Sequence, residues 1–165
     1  MPSDGYFKID GIDGSCAEKG FEKFTYVYHI DIHSFFDFNP SSAQKAGDQK
    51  WEPIKLVCKL EETAPEWLQK FRKSTAFKAE IRFPVKDKDG SKKPYLVIKM
   101  EDCTLVGFRI TCPETWLPEH KEVGHLCEIK LACRKFTIEH DKYAESASTS
   151  HRKTGDTYDF DNPTG

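Results

Sequence analysis

Between Phe24 and Phe38 the sequence reads Phe-Thr-Tyr-Val-Tyr-His-Ile-Asp-Ile-His-Ser-Phe-Phe-Asp-Phe, with apolar side chains at seven of the eight even positions. A period of two writes a half-buried β-strand, because successive side chains of extended backbone point to opposite faces. A helical period would instead scatter Tyr26, Tyr28, Ile30 and Ile32 around the whole circumference. Strands with one wet face belong to antiparallel sheets, which makes a mainly β chain the expectation.

At 165 residues the chain is long enough to bury a core without metals or disulfides, and one domain over 1–165 is expected. No window approaches the ~18 consecutive apolar residues of a membrane span. The formal net charge is -2, and acidic and basic residues are interleaved, so no nucleic-acid footprint is present. The first twenty residues lack a basic start and an apolar stretch, so synthesis in the cytoplasm without a Sec-type signal peptide is expected. Cys16, Cys58, Cys103, Cys112, Cys127 and Cys133 form no Cys-x-x-Cys unit and are read as reduced thiols.

Along the chain, Gly5 to Gly11 reads as a short first strand leading through a polar turn into the long strand at 24–38. Residues 39–50 are polar without apolar rhythm, an excursion whose length suggests a binding loop. Alternation resumes from Trp51 to Leu60, with Ile54, Leu56, Cys58 and Leu60 on one side. Thr63-Ala-Pro-Glu66 is a helix start: a threonine cap, proline in the first turn and a glutamate placed to close a capping box. Trp67, Leu68 and Phe71 then share one side of a single helix ending near Ser74.

Asp89-Gly90 signals a two-residue hairpin turn, and pairing about it sets Phe83 opposite Leu96, Ile81 opposite Ile98 and Ala79 opposite Met100. The other face then matches Glu80 with Lys99 and Lys78 with Glu101. Apolar residues return at Val106, Phe108 and Ile110, so Tyr95 to Thr111 is either one strand bent near Asp102 or Gly107, or two strands. A second extended loop runs from Cys112 to Glu122. From Val123 the apolar positions are odd, then become even at Phe136 and Ile138, which a β-bulge near Arg134 and Lys135 explains. A polar segment at 141–155 precedes a last short strand from Asp156 to Asp161.

Chemistry is thin by comparison. His29-x-Asp31-x-His33 sets three possible ligands along one side of a strand, but these are also the polar positions of an alternating pattern, and no metal is assigned. The aspartates Asp10, Asp13, Asp87 and Asp89 fall in glycine-containing turns, where backbone reasons favour them. No phosphate loop, nucleophile elbow or zinc-binding helix motif occurs, so the balance moves from enzyme to binding or assembly, with no cofactor and no catalytic residue assigned. A monomeric barrel carrying a small apolar ligand, and a secreted effector or enzyme using a cysteine, are the competing classes.

Three stretches, Phe7-Lys-Ile-Asp-Gly-Ile-Asp-Gly14, Tyr95-Leu-Val-Ile-Lys-Met-Glu-Asp102 and Tyr158-Asp-Phe-Asp161, resemble the haemolysin-coregulated protein (Hcp) family, the inner-tube protein of bacterial type VI secretion. The order of long strand, extended loop, helix near Pro65, hairpin and late strand from Leu126 to Glu139 resembles that family too. The sequence departs from it in having Tyr26, Tyr28 and His29 where paired tryptophans are frequent, a loop poorer in glycine, and many cysteines.

The resemblance implies a tight antiparallel β-barrel of two packed sheets, with one short helix and an extended loop. It also implies hexameric rings of identical subunits that stack head to tail inside a contractile sheath, meet a valine-glycine-repeat spike protein, hold effector cargo in the lumen and are expelled with it. No nucleic acid and no membrane insertion belong to that picture. In such a family the long loop reaches a neighbouring subunit or ring, which here assigns Asn39, Ser41, Ser42, Gln44, Lys45, Asp48 and Gln49 to the interface.

Overall fold

A computed structural model of the chain describes residues 5–86, 89–120, 124–141 and 153–159. Six antiparallel strands close into a barrel: β1 (Gly5–Ile9), β2 (Thr25–Asp31), β5 (Ile54–Lys59), β6 (Phe77–Lys86), β7 (Lys92–Thr111) and β8 (Leu126–Ala132). The order is β7-β6-β1-β2-β5-β8, and β8 returns to pair with β7. Two further strands, β9 (Lys135–Asp141) and β10 (Lys153–Asp159), extend the sheet beyond β7. A separate two-stranded sheet pairs β3 (Ser34–Asn39) with β4 (Gln44–Trp51).

The barrel is filled by its own side chains, as small barrels are. Phe7, Leu56, Cys58, Ile81, Met100, Cys127, Ile129 and Leu131 are completely buried within one core cluster. The helix α1 (Ala64–Lys73) adds Trp67, whose ring meets Phe7 edge-on at 5.9 Å between centroids. An interior packed in this way gives no support to a ligand-carrying lumen inside one subunit. Thr63 precedes the helix as expected, but its side chain caps nothing and its hydroxyl is buried without a partner. Leu68, placed by the sequence pattern on the packed side, is instead exposed.

The uniform alternation at 24–38 conceals two interruptions. Thr25 and Val27, at odd positions, are the buried ones, whereas Tyr28 is exposed. The pairing of β2 with β5 then slips between Val27 and His29, and beyond this bulge Ile30 and Ile32 turn to the core. A bulge exchanges the two faces of a strand, so seven even apolar residues do not share one side. The strand also ends at Asp31, and β3 begins anew in the second sheet.

Tyr26 belongs to a satellite cluster outside the barrel with Tyr6, Cys16, Phe21 and Phe24. Here Tyr6 stacks on Phe21 at 4.2 Å, its hydroxyl donates to Glu18 at 2.9 Å, and Lys92 meets Glu18 at 2.8 Å. Nearby, the Glu61 carboxylate accepts from the hydroxyls of Ser15 and Thr25, tying the first loop to the entry of α1.

The β6–β7 register carries all three apolar pairs expected of it, and Glu80 lies opposite Lys99. The tip differs: a slip near Pro84 and Pro94 moves the pairing so that Lys86 faces Lys92, and five residues, not two, separate the strands. Among the charges, Lys78 reaches Glu101 at 3.9 Å, but Lys99 turns to Glu139 on β9 at 3.2 Å and Glu80 takes Arg82 at 2.5 Å. That exchange follows from β9 lying on the far side of β7, which supplies Lys99 with a second acidic neighbour.

Residues 92–111 form one bent strand. Asp102 takes a left-handed backbone (φ 50°), and inward residues change from even, Ile98 and Met100, to odd, Cys103 and Leu105. A second slip at Val106 leaves Val106 and Ile110 exposed, against the even-numbered pattern. The expected bulge near Arg134 is the break between β8 and β9 at Cys133–Arg134, opposite the Asp102 kink. Of the loop at 112–122, Pro118–His120 forms one 3-10 turn. Parts of several expectations, at Asp87, at 121–123, at 142–152 and at 160–161, lie outside the described residues.

Candidate assembly interface

The segment at 39–50 is the tip and returning strand of a β-hairpin, not an irregular loop. Asn39 faces Gln44 across the tip, Phe38 faces Lys45 and Asp37 faces Ala46. The side-chain carbonyl of Asn39 accepts the N–H of Ser41 at 3.0 Å, and its backbone carbonyl accepts that of Ala43 at 2.8 Å. Asparagine suits this place because its short amide closes a turn on its own backbone. Opposite Phe36 the β4 strand accommodates extra residues at 47–49, and Gly47 supplies the positive φ of 73° that the bulge requires.

A bare two-stranded ribbon is marginal in water, so its base needs anchoring. Trp51 provides this, with its ring 5.7 Å from Phe136 and 5.2 Å from Tyr158. At the same end His33 meets Glu52 at 3.2 Å and stacks on Phe35. Farther out, Lys50 pairs with Asp37 at 2.5 Å, Gln49 donates to Ser34 at 2.6 Å, and the Lys45 ammonium sits 4.7 Å from the Phe36 ring centre.

These contacts sort the seven residues assigned from sequence. Asn39 and Gln49 hold the hairpin's own shape, and Lys45 covers Phe36. Ser41, Ser42, Gln44 and Asp48 present exposed side chains. The residue missed is Phe38, which is 69% exposed on β3 next to the tip. Its place in the apolar alternation suggested burial. The signal in the sequence was Asn39-Pro40 immediately after it, a turn that leaves no third strand to cover the ring.

His29, Asp31 and His33 do not form a ligand set: they straddle the end of β2, and His33 is turned to Glu52. Among the described residues no group of three or more His, Cys, Asp or Glu is placed to hold a metal. No helix among them is long and apolar enough to cross a membrane.

The sequence from residue 6 to residue 140 matches the family model described as the type VI secretion system effector Hcp. The chain belongs to the Hcp family. No curated protein matches it. Solved Hcp structures match nearly end to end at low identity. One titled as a crystal structure of Hcp protein shares 16% identity over 96% of this chain and 98% of its own, with a TM-score of 0.79. Hcp1 from Salmonella typhimurium shares 14% over 99% and 98%, with a TM-score of 0.75. Hcp1 from Flavobacterium johnsoniae shares 11% over 94% and 98%, at 0.64.

Within this Hcp chain the motifs that carried the resemblance have structural work. Phe7 to Gly14 is β1 and its tight exit, and Tyr95 to Asp102 is the arm of β7 that ends at the kink. Tyr158 and Asp159 close β10, the outermost strand of the sheet.

Proposed function

We propose that copies of this Hcp-family chain close into hexameric rings, that the rings stack into a tube, and that the hairpin at 34–51 is the arm by which one copy grips another. The observation that carries this reading is Phe38, 69% exposed at the end of an arm outside the closed barrel. A large apolar side chain held in water on a small ribbon is an expense that docking removes. Ring closure needs unlike patches to meet, and an arm on one side of a compact barrel is an asymmetric element suited to a heterologous contact.

In this reading the protein is structural, not catalytic. It is made in the cytoplasm, sheathed by contractile subunits, tipped by a valine-glycine-repeat spike and expelled with effector cargo in its lumen. The lumen is the space between copies, since each barrel is filled by its own core. Native mass spectrometry and negative-stain microscopy of the purified protein test the proposal. Ring-shaped particles of six subunits are expected. A monomer at every concentration from low micromolar upward, with no rings on the grid, overturns it.

A further inference from the structure

Two pairs of cysteines lie across from one another, one within the sheet and one at a break in it. Cys58 on β5 faces Cys127 on β8, and both are completely buried. The second pair sits at the kink. Glu101 pairs with Lys135 on one side of it and Thr104 with Ala132 on the other, which brings residue 103 opposite residue 133. Each of the two thiols shifts the ionisation of the other. Cys103 is completely buried, whereas Cys133 is half-buried and lines an open cleft of about 490 Å³ with Asp102, Thr104 and Arg134.

We propose that Cys103 and Cys133 form a redox-modifiable dithiol, in which Cys133 reacts with an oxidising low-molecular-weight disulfide from the cleft and Cys103 resolves the adduct. The Cys133 thiolate attacks one sulfur of the reagent, whose S–S bond breaks and releases one half as a thiolate that takes a proton from water. Cys103 then loses its proton and attacks the Cys133 sulfur, expelling the second half. Two protein thiols become one disulfide, and the reagent is reduced to two thiols.

Each step has a structural basis. Residues directly opposite in an antiparallel ladder have Cα atoms about 4.5 to 5.5 Å apart, and although Cys133 lies in the break between β8 and β9, the ladder pairs on either side hold it across from Cys103, near the range of about 4.4 to 6.8 Å that a disulfide spans. The neighbouring Cys103 thiol holds Cys133 below its ordinary pKa, and Cys133, together with burial, pushes Cys103 up. The sulfur facing the cleft is therefore the one that ionises first, as an attacking thiol must.

The other four cysteines lack one or other requirement, and Cys16 is buried in the satellite cluster with Tyr6, Phe21 and Phe24. Burial pushes Cys58 up and Cys127 to about 11, and neither side chain reaches solvent. Cys112 is exposed, but its sulfur rests against the Pro113 carbonyl at 3.7 Å and no second thiol faces it. It is expected to stop at a mixed disulfide.

Oxidised glutathione added to the folded protein, followed by acid quench and peptide mapping, tests the assignment. Expected is a cross-linked peptide joining residues 103 and 133, short of two hydrogens and carrying no glutathione, while Cys58 and Cys127 stay reduced. In Cys103→Ala the glutathione is expected to remain on Cys133. The wild-type map stands on its own if that variant fails to fold. Cys103 and Cys133 remaining as thiols while Cys112 becomes fully glutathionylated overturns the proposal, as does a Cys58–Cys127 bridge forming first.

Discussion

A single missing side chain fixes how the first loop seats on the barrel. Gly14 donates its N–H to the Lys23 carbonyl at 2.8 Å, and a Cβ at Gly14 would lie 2.4 Å from the Phe24 carbonyl oxygen and 2.6 Å from the Thr25 hydroxyl. The first obstacle is backbone just before β2 and the second is a short β-branched hydroxyl held by Glu61, so the backbone itself would have to move. Gly14→Ala is therefore expected to cost about 2 kcal/mol or more, in the range of backbone strain combined with a lost buried hydrogen bond. Urea unfolding followed by tryptophan fluorescence measures it, and an unchanged midpoint would show that the loop yields freely. The sequence displayed this glycine inside Gly-Ile-Asp-Gly14, but only as part of a turn. That it marks a close approach depends on residues ten positions later, a distance over which local pattern carries no information.

At the scale of elements, strand identity was legible and strand phase was not. Apolar periodicity located β5, β6, the helix and the inner half of β7 because each has one more buried and one wetter face over at least five residues, whereas β1 is buried on both faces and stood out only as a short run between glycines. Cross-strand pairs such as Ile81 with Ile98 were legible because the apolar face fixes register to the nearest even step. Bulges at Tyr28, Asp102 and Val106 were only partly legible, since each inserts one residue and the composition around it stays the same. The hairpin at 34–51 was harder still: β4 holds Gln44, Lys45, Gly47, Asp48, Gln49 and Lys50, and a strand exposed on both faces has no alternation to show. Its polar sequence nevertheless leads to a prediction. Replacing Gln44, Lys45 and Asp48 together with alanine is expected to leave the circular dichroism spectrum unchanged and to lower the thermal midpoint by no more than about 6 °C, because exposed substitutions change stability by at most about 0.5 kcal/mol each and about 1 kcal/mol moves the midpoint of a chain this size by about 2 to 4 °C. Assembly, read by sedimentation velocity, is expected to weaken. Full-sized particles from the triple variant would remove these three side chains from the contact, and a large drop in midpoint would show that β4 supports the barrel.

For the molecule as a whole, the six-stranded barrel surrounds a filled core, and the Tyr6, Glu18 and Lys92 group ties the first loop to the β6–β7 hairpin with both charge and an aromatic ring, as Arg82 does at Gly20 and Phe24. Lys92 also lies 5.7 Å from the Tyr6 ring centre, so charge and ring hold one another in place. The hydrogen bond from Lys92 lowers the Glu18 pKa from 4.5, and the bond to Glu18 raises Lys92 above 10.5. Burial raises Tyr6 above 10.0. A depressed carboxylate stabilises the fold above its unfolded pKa and loses that contribution as pH falls through the folded value. A raised lysine or tyrosine contributes below its unfolded pKa and loses the contribution as pH rises through the folded one. The tie is thus complete between about pH 4.5 and pH 10, where all three conditions hold. Glu18 and Lys92 are each about a third exposed, so solvent screening limits the tie to about 1 kcal/mol or less. Lys92→Met is expected to lose that amount at pH 7, with the difference from wild type shrinking at low pH once the solution passes below the depressed Glu18 value and the carboxyl is protonated in both proteins. Urea titrations of the two proteins at pH 7 and at low pH decide it. A gap of equal size at both would mean that Lys92 acts through the packing of its methylene chain on Tyr6, and the charge would have no part in fastening the loop.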